Sequence, residues 1–192
     1  MNPIFAAAIE VERACRRGGF RFCFIGGLAV QRWGQPRMTA DVDVTVITGF
    51  GHEEPFVDKL LDLLAGRIPD AREFSLRHRT LLLTASNGVP VDVALGAMPF
   101  EERSVDRASS FALSEADTVT TCSAEDLVVH KAFAGRDKDW LDIAGIVARQ
   151  AERLDRQIVW DELLPLLELK EDSTAEPRLR ALFATAGRAG TP

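Results

Sequence analysis

No apolar run in these 192 residues approaches the length needed to cross a bilayer, and no membrane partner is expected. Cysteine is scarce. Cys15, Cys23 and Cys122 are an odd number without metal-type spacing, which excludes a disulfide framework or a zinc cage and makes a reducing cytoplasm the simplest compartment. Cys23 and Cys122 are expected as small core residues. Internal repeats and low-complexity tracts are also missing. Positive charge is not in excess: the formal net charge of −6 argues against a constitutive nucleic-acid binder. Two local clusters, Arg13, Arg16, Arg17 and Arg21, then Arg72, Arg77, His78 and Arg79, keep a transient RNA substrate open, although each taken alone reads as a solvated face. From Met1 to Arg17 the chain is apolar first and basic later, with Glu10 and Glu12 inside, which is not the order of a signal peptide.

What is present is ordinary globular composition, 46% hydrophobic and 27% charged, enough for a sizeable core. Helical spacing over 4–17 ends at Gly18-Gly19. Phe20 to Ile25 reads as a buried strand and Leu28 to Trp33 as a two-turn helix. Over 42–47 valines alternate with polar residues, so Val42, Val44 and Val46 share one face of a strand while Asp41, Asp43 and Thr45 share the other. Phe56 to Ala65 is an amphipathic helix. Thr80–Ala85 and Val89–Leu95 flank Ser86-Asn87-Gly88, a hairpin signal, with Pro90 demoting the start of the second strand.

The second half is helical. Ser123 with an acid three residues on resembles a capping box, opening a helix to about Phe133 that breaks at Gly135. A second helix spans roughly Lys138 to Arg153 and buries Trp140, Ile143 and Val147. A third, Val159 to Leu169, is expected to kink or restart at Pro165, and Arg178 to Ala186 forms a short last one. The expected class is α+β, a small mixed β-sheet flanked by helices. Residues 1–118 would make the sheet-bearing core and 119–192 a helical region packed on it, with a frayed tail over 187–192.

Asp41 and Asp43 leave one face of a strand side by side, which is costly unless a cation sits between them, and magnesium suits such a pair. Asp92, in Val91-Asp92-Val93 on a partner strand, supplies a third acid; three carboxylates on neighbouring strands can hold two ions that clamp an in-line phosphoryl displacement. Gly26-Gly27 closes a strand and opens a helix, so the backbone can approach a phosphate closely. Arg37 is placed to reach phosphate oxygens, and the Thr39 hydroxyl to orient the strand entry or touch phosphate. Lys131 falls in a strongly apolar helix, where an inward cation aimed at a triphosphate explains it. Asp139 would orient Arg136 or Lys131 by ion pairing, and Asp142 would cap or pair structurally. Singly, each feature also fits a turn or a surface charge.

In sequence order, Gly26-Gly27-x-Ala29, Arg37-x-Thr39-x-Asp41-x-Asp43, apolar-Asp92-apolar, and Ser123-x-Glu125-Asp126-Leu127 running into Lys131-x-x-Ala134-x-Arg136-x-Lys138-Asp139-x-x-Asp142 resemble the polymerase-β-type nucleotidyltransferases. The resemblance is closest to the AbiEii-like branch, which includes toxins of type IV toxin–antitoxin pairs. It covers residues from about 20 to 150 and fades after Arg149. It implies a polymerase-β-like fold, Asp41 and Asp43 as magnesium ligands, Asp92 as a further ligand or the base for an acceptor hydroxyl, and two magnesium ions. Lys131 would face the nucleotide phosphates, with Arg136 and Asp139 completing the site. The implied partners are a nucleoside triphosphate, a hydroxyl acceptor (RNA such as tRNA, a protein or a small molecule) and a cognate antitoxin. An aminoglycoside-type small-molecule modifier and a catalytically silent binding partner stand as alternatives.

Overall fold

Asn2 starts the first helix, α1 (Pro3–Gly18): its side chain accepts the Ile4 amide at 2.9 Å, and Pro3 fills a position where no amide is needed. Gly19, at φ 67°, ends the helix in the left-handed conformation that the glycine pair predicts. There follow β1 (Phe22–Phe24), α2 (Gly26–Trp33), β2 (Val42–Ile47), α3 (Glu54–Leu63), β3 (Ala65–Gly66), α4 (Ala71–His78), β4 (Thr80–Thr84), β5 (Pro90–Gly96), α5 (Pro99–Asp106), β6 (Ser109–Ala112) and β7 (Thr118–Thr121). The remainder is helical: α6 (Ala124–Ala134), α7 (Asp137–Gln150), α8 (Arg156–Lys170) and α9 (Ala175–Arg188). This computed structural model describes residues 2–188; of the expected frayed tail, 187–188 continue α9 and 189–192 lie outside the described residues.

Two compact units result, one of Met1–Leu28 with Met38–Cys122 and one of Ala29–Arg37 with Ser123–Pro192. The first carries a mixed sheet in the order β3-β4-β5-β2-β1-β7-β6, giving the α+β architecture expected. β2 lies parallel to β5 and antiparallel to β1, while β4 is antiparallel to β5. β7 pairs with β1, so residues 119–122 belong with the sheet although the expected boundary fell at 118. The alternation in β2 does what it promises: Val42, Val44 and Val46 are fully buried with Leu81, Leu83, Val91 and Val93 against Val11, Val57 and Leu60 of α1 and α3. Full burial of each such side chain is worth about 1.5–3 kcal/mol, and this pins the register that sets the acids of the other face.

Cys15, Cys23 and Cys122 are all buried free thiols. Burial, with the Glu12 charge adding to it, pushes the Cys15 thiol up to about 12, so it is not a nucleophile. Pro90 is accommodated as the first residue of β5, opposite Thr84.

In the second unit the Ser123 hydroxyl accepts the Asp126 amide at 3.1 Å, as the cap predicts, and Gly135 at φ 69° closes α6. Trp140, Ile143 and Val147 are buried along α7. The helix does not restart at Pro165, because α8 runs through it. Pro165 and Asp161, whose carbonyl loses its partner, both lie on the exposed face, open to solvent, while Leu163, Leu166 and Leu167 anchor the buried face. Elements α4, α5, β6 and β7 carry too little periodicity to be anticipated. Among the described residues no helix is long and apolar enough to cross a membrane.

Candidate active site

The sheet unit assembles the acidic residues. Parallel pairing of β2 with β5 sets Asp43 directly beside Asp92, on the face opposite the valine core. Gly26, at φ +56°, turns from β1 into α2 against Asp43 so closely that a Cβ there would lie 1.9 Å from Asp43 Oδ2. A Cβ on Gly27 would lie 2.4 Å from Thr39 Oγ1, and that hydroxyl donates to Asp41 Oδ1 at 3.0 Å. Both glycines are therefore required by close approach, and Thr39 orients an acid. The bend, the threonine and the acids come together as the sequence spacing implies.

Among the described residues no three Asp, Glu, His or Cys side chains are grouped to hold one metal ion. Asp92 is engaged by Arg67, whose Nη2 donates to Oδ1 at 2.7 Å. Arg67 has no motif around it and was missed in the sequence. The hard oxygen donors Asp41 and Asp43 still fit magnesium, which is commonly held by one or two carboxylates with substrate phosphates and water completing the shell.

Gly26→Ala tests the approach of bend to acid. Positive φ costs a residue with a Cβ roughly 1–2 kcal/mol, and the contact with Asp43 adds to it. Urea denaturation should show a loss of at least that size, partly recovered in Gly26→Ala/Asp43→Ala, where the opposing carboxylate is gone. Strict additivity in this cycle would show that the two residues do not meet.

The helical unit assembles the cations. Gly135 folds α6 back so that Lys131, near the end of α6, meets the first turn of α7. Its Nζ lies 3.2 Å from Asp139 Oδ1 and 2.7 Å from Asp142 Oδ2, with all three residues buried. Asp139 also accepts Arg136 Nε at 2.6 Å, and Asp142 takes Arg37 bidentately through Nε and Nη2, each at 2.8 Å. Lys131 thus points inward as the apolar helix implies, and Asp139 orients both Lys131 and Arg136. Arg37, expected free for phosphate, is clamped by Asp142. Three cations against two carboxylates leave one net positive charge.

Burial alone would raise the Asp139 carboxyl, but hydrogen bonds from Arg136 and Lys131 and their charges outweigh it, so its pKa falls below the ordinary 3.8. Asp142 behaves alike: burial raises it, and Arg37 and Lys131 bring it lower on balance. Groups depressed in the folded state bind more protons when unfolded, so their stabilisation is present above about pH 4 and lost as pH falls through the folded values. Thermal melts should therefore decline on acidification below about pH 4, and more shallowly in Asp142→Asn. Equal acid slopes would contradict the assignment.

The arginine clusters do not make a bare basic face. Arg13 pairs with Asp117 at 3.0 Å, Arg16 with Glu12 at 2.6 Å, Arg21 with Asp106 at 2.7 Å and Arg72 with Asp58 at 2.7 Å.

These residues can be set beside known proteins. Residues 14–187 match the family described as "Nucleotidyl transferase AbiEii toxin, Type IV TA system", beyond the stretch of about 20 to 150 in which the motifs were legible. No curated protein sequence matches the chain. Among solved structures, an antigenic nucleotidyltransferase-like protein from Paracoccidioides brasiliensis aligns with a TM-score of 0.53 at 17% identity, covering 91% of this chain and 92% of that one. This likeness speaks to fold alone. The antibiotic-resistance factor ANT(2'')-Ia aligns with a TM-score of 0.49 at 11% identity, over 94% of this chain and 89% of its own, too loosely to support a conclusion. With its family match running from the end of α1 into α9, across both the acidic and the cationic residues, the chain belongs to the AbiEii nucleotidyl transferase family.

Proposed function

We propose that this nucleotidyltransferase moves a nucleoside monophosphate from a nucleoside triphosphate to a hydroxyl on RNA, protein or a small molecule, in a magnesium-dependent reaction, as the toxin of a pair with a cognate antitoxin. The acceptor oxygen forms a bond to the α-phosphorus, the bond to the β-phosphate oxygen breaks, and pyrophosphate leaves with its electron pair. The observation that carries the reading is the register setting Asp43 beside Asp92 under the Gly26 bend.

Asp41 and Asp43 would hold the ion, with Thr39 fixing the Asp41 carboxylate. When bound, magnesium neutralises triphosphate charge and polarises the phosphoryl oxygens. Gly26 and Gly27 let the Asp43 and Thr39 side chains close against the start of α2, whose first amides would meet phosphate. Within the helical unit, Asp139 holds Lys131 and Arg136 and Asp142 holds Arg37, positive charge of the kind that phosphates take. Asp92 serves the acceptor proton or a second ion.

The experiment is incubation of the protein with each labelled nucleoside triphosphate, magnesium and a cell extract, with label sorted into RNA, protein and small molecules. Label should appear in one pool, vanish when magnesium is chelated, and be absent with Asp41→Ala/Asp43→Ala. Magnesium-independent labelling, or labelling by the double variant, would overturn the proposal.

A further inference from the structure

The register that sets Asp92 beside Asp43 continues across the sheet. Asp92 faces Leu82 of β4, and the Leu82 carbonyl accepts the amide of Arg67, the residue following β3, at 2.9 Å. Leu81 and Leu83 are fully buried on the core side, so the half-buried Leu82 lies on the face of the acids. Arg67, Leu82, Asp92 and Asp43 therefore form one row over four neighbouring segments. Arg67 reaches across Leu82 to Asp92. Its backbone is fixed by the ladder, while its side chain and that of Asp92 remain 29% and 35% exposed.

We propose that Arg67 is a positioning residue that occupies the cation place at Asp92, so that the site takes a first divalent ion at Asp41 and Asp43 and admits a second, between Asp43 and Asp92, only when Arg67 releases Asp92. This rests on the reading of Asp41 and Asp43 as metal ligands. Neighbouring carboxylates need compensating positive charge, and a guanidinium supplies at Asp92 what a second ion would supply. With about a third of each side chain open to water, the pair is screened and can be displaced by a stronger acceptor. Phosphate oxygens are competing bidentate acceptors for a guanidinium, so an arriving triphosphate draws Arg67 from Asp92 and frees the acid as it delivers its own charge. The pair thus ties occupancy of the second ion position to the presence of substrate.

The test uses manganese as the probe, titrated into the purified full chain without nucleotide, with free ion read by electron paramagnetic resonance. Wild type should bind one ion. Arg67→Gln should bind two, the second at least about tenfold more tightly than wild type takes it, because the competing charge is gone. Arg67→Lys, which keeps the cation, should resemble wild type, and Arg67→Gln/Asp92→Asn should return to one ion. Adding a non-hydrolysable nucleoside triphosphate should bring wild type to two. The proposal is overturned if Arg67→Gln binds the same number of ions with the same affinity as wild type, or if the gained ion persists without Asp92. A different result, equal manganese binding by wild type and Asp43→Asn, would remove the metal-ligand reading itself and this inference with it. Melting curves of each variant confirm that folded proteins are compared.

Discussion

Asp43→Asn is expected to lower nucleotidyl transfer roughly a thousandfold, the scale seen when one electrostatic stabiliser is lost from a preorganised site, while melting within a few degrees of wild type. Asparagine has the shape of aspartate, so it still fits beneath the Gly26 bend, where there is no room for a larger group. The β2 backbone is untouched, including the Asp43 carbonyl that accepts the Ile25 amide at 3.0 Å. What disappears is one negative charge beside Asp92, and relief of that repulsion offsets lost pairing in the folded protein. Initial rates of label transfer at saturating magnesium, with melts of the same preparations, separate the two effects. Normal rates would dismiss Asp43 as a metal ligand; an unfolded variant would make the residue structural.

The parts of this molecule that were readable as sequence are those where a local rule and the tertiary structure agree. Val42 to Ile47 alternates because one face is core and the other is site, and the strand occupies those bounds. Ser86-Asn87-Gly88 turns the β4–β5 hairpin, with Gly88 at φ 83°. Lys131 stood out because an apolar helix offers it no solvent, and it is indeed buried among carboxylates. What stayed hidden depends on contacts that no local pattern encodes. β3 is two residues long, so nothing marks Arg67 as lying opposite Leu82, and its pairing with Asp92 spans 25 positions. The Arg37–Asp142 clamp spans 105 positions and converts an apparent phosphate ligand into part of an ion-pair network. Pro165 misled for the opposite reason: a local rule was outweighed by the buried leucines on the far side of α8.

That network predicts the largest effect on stability. Lys131→Met keeps the bulk of the side chain but removes the cation between Asp139 and Asp142, which are 0% and 6% exposed. Removing one partner from a buried ion pair costs about 3–5 kcal/mol, because the charge left behind stays desolvated. Arg136 and Arg37 soften the loss from the more solvent-exposed side, their side chains being 63% and 38% accessible, so the lower part of that range is expected. Urea unfolding should report it. Three further readings make the cause specific. Without Lys131 the two carboxyls titrate higher in the folded state, so the gap between variant and wild type should narrow as pH falls below about 4. Adding Asp142→Asn to Lys131→Met should restore part of the stability, since one desolvated carboxylate is removed while Arg37 loses its acceptor. Nucleoside triphosphate affinity, by contrast, should remain low in that double variant, because stability follows the desolvation of the buried carboxylates whereas phosphate binding follows the lysine. Recovery of both together would mean that Lys131 serves the fold alone.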